Sequence, residues 1–317
     1  MCLSISAADE PGYKYIVLGQ PSGAIRKAVP GYALMGGGQD QDAAFQWMCD
    51  HAGGGNFLVL RASGTDAYNP YVRKLCPAVS AVETLIVSSR QGADHPFVAE
   101  KIRAAAAVFI AGGSQDNYVN FWRGTGVEEA INSAIKKGVP VGGTSAGLAV
   151  LGQYSFAALK DTVKSSEALA NPFHERVTIT RDFLHIALLD GKITDSHFVA
   201  RDRMGRLMAF LARIATDGWT RAPFGIGIDE KTAVLMEADG NARVTGVGAA
   251  YFLHAPGPAE RCAPDTALTY RNVPVYRLSA GEGQFNVKSW SGSGGVEYKL
   301  SVENGVITST QPGNGVY

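Results

Sequence analysis

Val139-Pro-Val-Gly-Gly-Thr-Ser-Ala-Gly-Leu-Ala-Val-Leu-Gly152 passes from an apolar, proline-punctuated run through small residues and out into a helix-like pattern. A tight strand–helix turn explains the glycines but not the serine set between them. Gly143-Thr-Ser145-Ala-Gly147 is a Gly-x-Ser-x-Gly motif that follows a predicted strand and opens a predicted helix, the context a nucleophile elbow requires. Small neighbours let the backbone turn sharply while Ser145 sits at the apex. The amide of Ala146 then points to where an oxyanion develops. The amide of Gly113, at the end of a neighbouring predicted strand, is the second donor. The bland alternative is a tight turn with an incidental serine.

Outward from that stretch, short β-branched and aromatic runs alternate with helical patterns. The expected strands are Lys14–Gly19, Tyr32–Gly36, Asn56–Ala62, Thr84–Ser88, Ala106–Gly112 and Val139–Gly142; the expected helices are Asp42–His51, Asn69–Ala78, Pro96–Ala105 and Val119–Lys137. Continuous apolar strands separated by helices predict an α/β fold with a doubly wound, mostly parallel sheet and flanking helices. In such sheets ligands sit at the carboxyl ends of the strands. Three of these strands end in glycine-rich turns, Gly36-Gly-Gly-Gln-Asp40, Gly112-Gly-Ser-Gln-Asp116 and Gly142-Gly-Thr-Ser145, and their convergence on one edge makes a site. From about Pro256 alternation replaces helical spacing, so the chain divides into an α/β core over residues 12–255 and a β-rich C-terminal extension over 256–317.

A chain of 317 residues with 46% hydrophobic and 18% charged side chains is an ordinary globular protein. A formal net charge of zero argues against nucleic acid as a partner, and no apolar run reaches transmembrane length. Met1–Glu10 is too short and too uncharged for a complete signal peptide and fits the remainder of a trimmed one. The cysteines, Cys2, Cys49, Cys76 and Cys262, form no Cys-x-x-Cys pair, so no metal is expected. Cys49 and Cys76 close neighbouring predicted helices; a disulfide and two buried thiols stand as alternatives.

A serine nucleophile needs a base. Of the six histidines, His197 has the distinctive setting, Asp195-Ser-His197-Phe-Val-Ala-Arg201-Asp-Arg203-Met-Gly-Arg206, between a strand-like run and an arginine-rich helix. Arg203 and Arg206 are three apart and share a helix face. Arg201, Arg203 and Arg206 together build an anion pocket suited to a carboxylate, the alternative being a solvated basic face paired with Asp202. The base needs an acid to hold its tautomer. Ile226-Gly-Ile-Asp229-Glu230-Lys-Thr-Ala-Val-Leu235 reads as a strand with two acids in apolar surroundings, where acids are rarely unpartnered. Glu230 is the first candidate and Asp161, in the loop after the elbow helix, the second.

Taken together, Ala111-Gly-Gly-Ser-Gln115, Gly143-Thr-Ser-Ala-Gly147, Asp195-Ser-His-Phe198 with its three arginines, and Ile228-Asp-Glu230 resemble the cyanophycinases, in the serine peptidase family that also contains aspartyl dipeptidase. The resemblance runs in order from about Tyr13 to about Trp290. It implies a fold related to class I glutamine amidotransferases, with serine replacing their elbow cysteine, and a Ser145–His197–Glu230 triad. It also implies an exopeptidase that needs no cofactor and cuts cyanophycin, a poly-aspartate bearing arginines in isopeptide linkage, to β-Asp-Arg dipeptides. Arg201, Arg203 and Arg206 match the family's arginines, Gln115 a glutamine of its substrate pocket, and Asp195 an acid near the substrate guanidinium. Ser196 stands where the family has glutamine, and the β-rich tail is an addition. The resemblance implies a homodimer. The Cys49/Cys76 pair fits an oxidising compartment, hence secretion, with the cytoplasm as the alternative. Other readings are an aspartyl dipeptidase-like enzyme, a carboxylesterase, and a binding protein that has lost its chemistry.

Overall fold

A computed structural model describes residues 5–22 and 27–317. The mixed α/β class read from the alternation holds, but the strands form two sheets. In the first, five parallel strands lie in the order Ala81–Val87, Phe57–Arg61, Ala107–Ile110, Val141–Thr144 and Gly31–Met35. Antiparallel strands extend it on both sides, Tyr13–Gly19 and Ile5–Glu10 on one, Thr232–Glu237, Asn241–Gly246, Gln284–Asn286 and Ser291–Ser293 on the other. The second sheet runs Val306–Ser309, Val296–Glu303, Tyr270–Ser279, Ala249–His254, Phe224–Ile228, Lys192–Asp195, Tyr154–Phe156 and Ile179–Arg181. Its parallel pairing is confined to the strands on either side of Lys192–Asp195.

The continuous apolar runs follow from cover on both faces. Along Phe57–Leu60 and Ala107–Ile110, Phe57, Val59, Ala107 and Phe109 join one buried cluster with Phe45 and Met48. Leu58, Leu60, Val108 and Ile110 face the other way, into a cluster that reaches Ile226, Ile228 and Phe252 of the second sheet. The far face of the second sheet packs on the helix Met204–Thr216. Residues 256–317 supply strands to both sheets. Of the Met1–Glu10 segment, residues 1–4, Cys2 included, lie outside the described residues, and Ile5–Glu10 is an edge strand.

Three local expectations are corrected. The helix expected over Val119–Lys137 is two helices, Gln115–Trp122 and Gly126–Lys136, because Gly124 turns left-handed at φ +68° between them. The single strand expected over Ile226–Leu235 is two strands in different sheets, Phe224–Ile228 and Thr232–Glu237, with Lys231 at φ +54° in the crossover. The helix after His197 begins only at Met204, leaving Arg201 and Arg203 in the preceding loop.

Cys49 and Cys76 form a disulfide with 6.1 Å between Cα atoms. The crosslink spans 27 residues and ties the helix Asp42–His51 to the end of the helix Tyr68–Leu75. Closing a loop of that size removes conformations from the unfolded chain. Cys76→Ser is therefore expected to lower unfolding stability by about 3 kcal/mol, and reductant should do the same to the parent protein. Guanidinium titration with and without reductant checks both.

Candidate active site

The strands ending at Ile110, Thr144 and Met35 are neighbours, so all three glycine-rich turns converge on one edge of the first sheet. At the centre, Ser145 sits between the strand Val141–Thr144 and the short helix Ala146–Ala149 with φ 53° and ψ −113°, a backbone conformation costly for any residue with a Cβ. Its amide donates to the carbonyl of Met35 (3.1 Å), which pins the turn to the adjacent strand. The flanking glycines are required by close approach. A Cβ on Gly143 would stand 2.5 Å from the backbone of Gly147, and one on Gly147 would collide with the carbonyl of Ile110.

The strand Lys192–Asp195 of the second sheet delivers His197 to the same edge. His197 is also left-handed, at φ 48°, and its amide donates to the carbonyl of Gly36 (2.7 Å). The residue is 7% exposed. Nε2 lies 2.7 Å from Ser145 Oγ, and Nδ1 lies 2.5 Å from Glu230 Oε1. Glu230 comes from the crossover between the sheets. With Nδ1–H donating to the carboxylate, Nε2 is left to accept the serine proton. Behind both side chains lies the Gly36–Gly38 turn. A Cβ on Gly37 would be 2.5 Å from the His197 ring, and one on Gly38 would be 3.1 Å from Glu230 Cβ. The turn also accepts the Lys231 amide at the Gly37 carbonyl (2.8 Å) and donates the Gly36 amide to Thr232 (2.9 Å).

The other acids have different work. Asp229 accepts the amides of Val199 and Ala249, each at 3.1 Å, and so clamps the histidine loop to the second sheet. Asp161, at φ 81°, accepts the Thr162 amide and lines a cleft that Gly113 borders; the place at His197 Nδ1 belongs to Glu230.

That cleft encloses about 320 Å³, and Gly113, Gln115, Asp116, Asp161, Arg201 and Arg203 are on its wall. Gln115 donates to the carbonyl of Phe156 (2.9 Å). The three arginines do not share one pocket. Arg206, 1% exposed, is spent on Asp195, 2% exposed, through Nε–Oδ2 at 2.8 Å and Nη2–Oδ1 at 2.5 Å, and lies over the Phe156 ring. A desolvated guanidinium needs such a partner. Asp195 is thereby neutralised from inside and does not face the cleft. Arg203 donates to the carbonyl of Ser196 (2.8 Å), with Asp195 Oδ1 and Ser196 Oγ at 3.4 Å; burial pushes its pKa down to about 10. Arg201 and Arg203 remain on the cleft wall.

Burial pulls the His197 pKa below its ordinary value; the Glu230 hydrogen bond opposes this, and the Arg201 and Arg203 charges reinforce it. Glu230 is held below the usual carboxylate range, first by its hydrogen bond to His197. Among the described residues, no group of three or more His, Cys, Asp or Glu is placed to hold a metal ion. Sequence reasoning missed the clamp at Asp229 and the hydroxyl of Tyr317, which contacts Asp202 (2.8 Å) behind the histidine loop. Gly-Asn-Gly-Val-Tyr317 carries no motif that would have marked it.

The family model described as peptidase family S51 matches residues 34–244. A cyanophycinase of Trichormus variabilis is 29% identical over 206 residues, covering 63% of this chain and 64% of that one. A cyanophycinase of Geminocystis herdmanii is 26% identical over 211 residues, covering 65% and 71%. The chain thus spans 64% of the length of the Trichormus relative. The crystal structure of a peptidase from an acI-B1 Actinobacterium superposes with a TM-score of 0.56 over 82% of this chain and 98% of that one, at 18% identity, a likeness of fold.

The electrostatics set a pH dependence. An imidazole must be neutral to accept a serine proton, and a lowered pKa keeps His197 neutral further into acid. Reaction of Ser145 with a fluorophosphonate should therefore be full at neutral pH and fall away on acidification with a midpoint below about 6.5. In Arg201→Gln the midpoint should move up, because a cation that disfavours imidazolium is gone. Labelling rates measured against pH test both; a parent midpoint above the ordinary histidine value contradicts the assignment.

Proposed function

Because this chain belongs to peptidase family S51, we propose that it is a serine exopeptidase that hydrolyses cyanophycin or related aspartyl and isoaspartyl peptides. The observation that carries this reading is the unbroken Ser145–His197–Glu230 chain of contacts, 2.7 and 2.5 Å, next to a cleft whose wall carries Gly113 and two arginines. The named relatives support the substrate class. The fold reading that goes with it is a core related to class I glutamine amidotransferases over residues 12–255, completed by the extension over 256–317.

His197 Nε2 takes the proton as Ser145 Oγ attacks the scissile carbonyl, and Glu230 holds Nδ1–H and stabilises the imidazolium. The amides of Gly113 and Ala146 stabilise the oxyanion, each donor contributing about 3 kcal/mol. His197 then protonates the leaving amine, and water hydrolyses the acyl-enzyme. Arg201 and Arg203 grip a substrate carboxylate next to the scissile bond, while Gln115 lines the same cleft. Ser196, where the family has glutamine, is buried against Arg203 and is not on the cleft wall.

A second reading is favoured by one observation. Asp195 is consumed by Arg206 and Arg203, so the acids left on the cleft wall for a substrate guanidinium are Asp116 and Asp161. If these do not engage arginine, the substrates are short acidic peptides, as for an aspartyl dipeptidase.

Incubation with insoluble cyanophycin, followed by mass spectrometry, separates the readings. Release of β-Asp-Arg is expected, with turnover in Ser145→Ala reduced on the order of 10⁴–10⁶-fold. Cleavage of acidic dipeptides without polymer release selects the second reading. Near-normal turnover in Ser145→Ala removes both.

A further inference from the structure

The helix Met204–Thr216 opens directly behind the loop that carries His197, Arg201 and Arg203. The first amides of a helix have no partner within it, and an N-cap Ser, Thr, Asp or Asn ordinarily accepts from them. Here the N-cap is Arg203, whose side chain has no acceptor and is turned instead to Ser196 and the cleft. Two hydroxyls from elsewhere do the capping. Ser165 Oγ accepts the Arg206 amide (3.0 Å) and donates to the Asp202 carbonyl. The Tyr317 hydroxyl accepts the Met204 amide (3.1 Å) and donates to Asp202 Oδ1 (2.8 Å). Asp202 is itself held left-handed, at φ 48°.

Tyr317 is firmly seated for this. Its ring stands edge-on to Phe198 and Tyr251, with centroids 6.0 and 5.8 Å apart. The backbone beside it is tied by Tyr298, whose hydroxyl donates to the Val316 carbonyl (2.9 Å), and by Gln311, whose amide donates to Gly315 (2.8 Å). The first half of the loop is anchored separately, His197 by Gly36 and Glu230, and Val199 by Asp229.

We propose that Tyr317 is a positioning residue for the substrate cleft: its hydroxyl supplies the cap that Arg203 cannot and fixes Asp202, which holds the guanidiniums of Arg201 and Arg203 where a substrate carboxylate meets them. The inference rests on the serine peptidase reading, and it gives the segment beyond residue 256 a task in recognition. The chemistry at Ser145 does not depend on it, since His197 is held by other contacts.

Tyr317→Phe keeps the ring and removes the hydroxyl. Amide exchange at Met204, followed by deuterium uptake, should quicken roughly five- to tenfold, the loss of one net hydrogen bond. KM for a peptide with a free carboxylate beside the scissile bond should rise by about the same factor. At neutral pH, where His197 is uncharged with or without the arginines beside it, neither kcat nor the rate at which a fluorophosphonate labels Ser145 should change. Asp202→Ala, which removes the other end of the bridge, should give the same split. Unchanged exchange at Met204 overturns the proposal, as does labelling slowed in step with peptide cleavage. A parent protein that neither labels nor cleaves refutes the peptidase reading instead, while exchange at Met204 still decides the brace.

Discussion

The hydrogen bond from the His197 amide to the Gly36 carbonyl joins the two sheets at the point where Ser145, His197 and Glu230 meet. One sheet supplies Ser145, the other supplies His197, and Glu230 sits on the strand-to-strand crossing between them. Ser145 and Glu230 reach the two nitrogens of His197, at 2.7 and 2.5 Å, from separate segments only if the backbones at this seam approach without side chains between them. Gly36, Gly37 and Gly38 meet that demand. Three left-handed non-glycine residues, Ser145, His197 and Lys231, also lie at the seam. Strain of that kind persists only where surrounding bonds over-determine the backbone. The contacts to Met35, Gly36 and Gly37 do so here.

The distribution of charge follows from the same geometry. Two arginines and an aspartate enter a nearly dry region beside the histidine, and the low polarity there makes any unpaired charge expensive. Arg206 and Asp195 satisfy each other, with Arg203 adding a longer contact. The net cation left over faces the cleft and raises the cost of charging His197, which favours the neutral base. In the proposed function, recognition and basicity are thus set by one arrangement of charges.

Much of this was legible before any coordinates. Gly143-Thr-Ser-Ala-Gly147 specified an elbow because the steric demand is local: a sharp turn needs residues without bulk on either side of the serine. The glycine-rich ends of three strands were readable for the same reason, and the buried parallel strands because both faces must be apolar. The break at Gly124 was missed, since one glycine inside a helical pattern does not reveal whether the chain will turn there. Ile226–Leu235 misled because both halves are apolar strands, and nothing in their order says that they belong to different sheets.

The sequence by itself determined the nucleophile motif, the α/β class and the residue types gathered around His197, all consequences of local backbone sterics and hydrophobic pattern. Tertiary structure alone decided which acid meets His197, that Asp195 and Arg206 spend their charges on each other, and that Cys49 bonds Cys76. It alone brought Tyr317 behind Asp202, across 115 residues of chain. Pairings at such separation depend on where two sheets and a crossover place side chains in space, and no spacing along the chain encodes that.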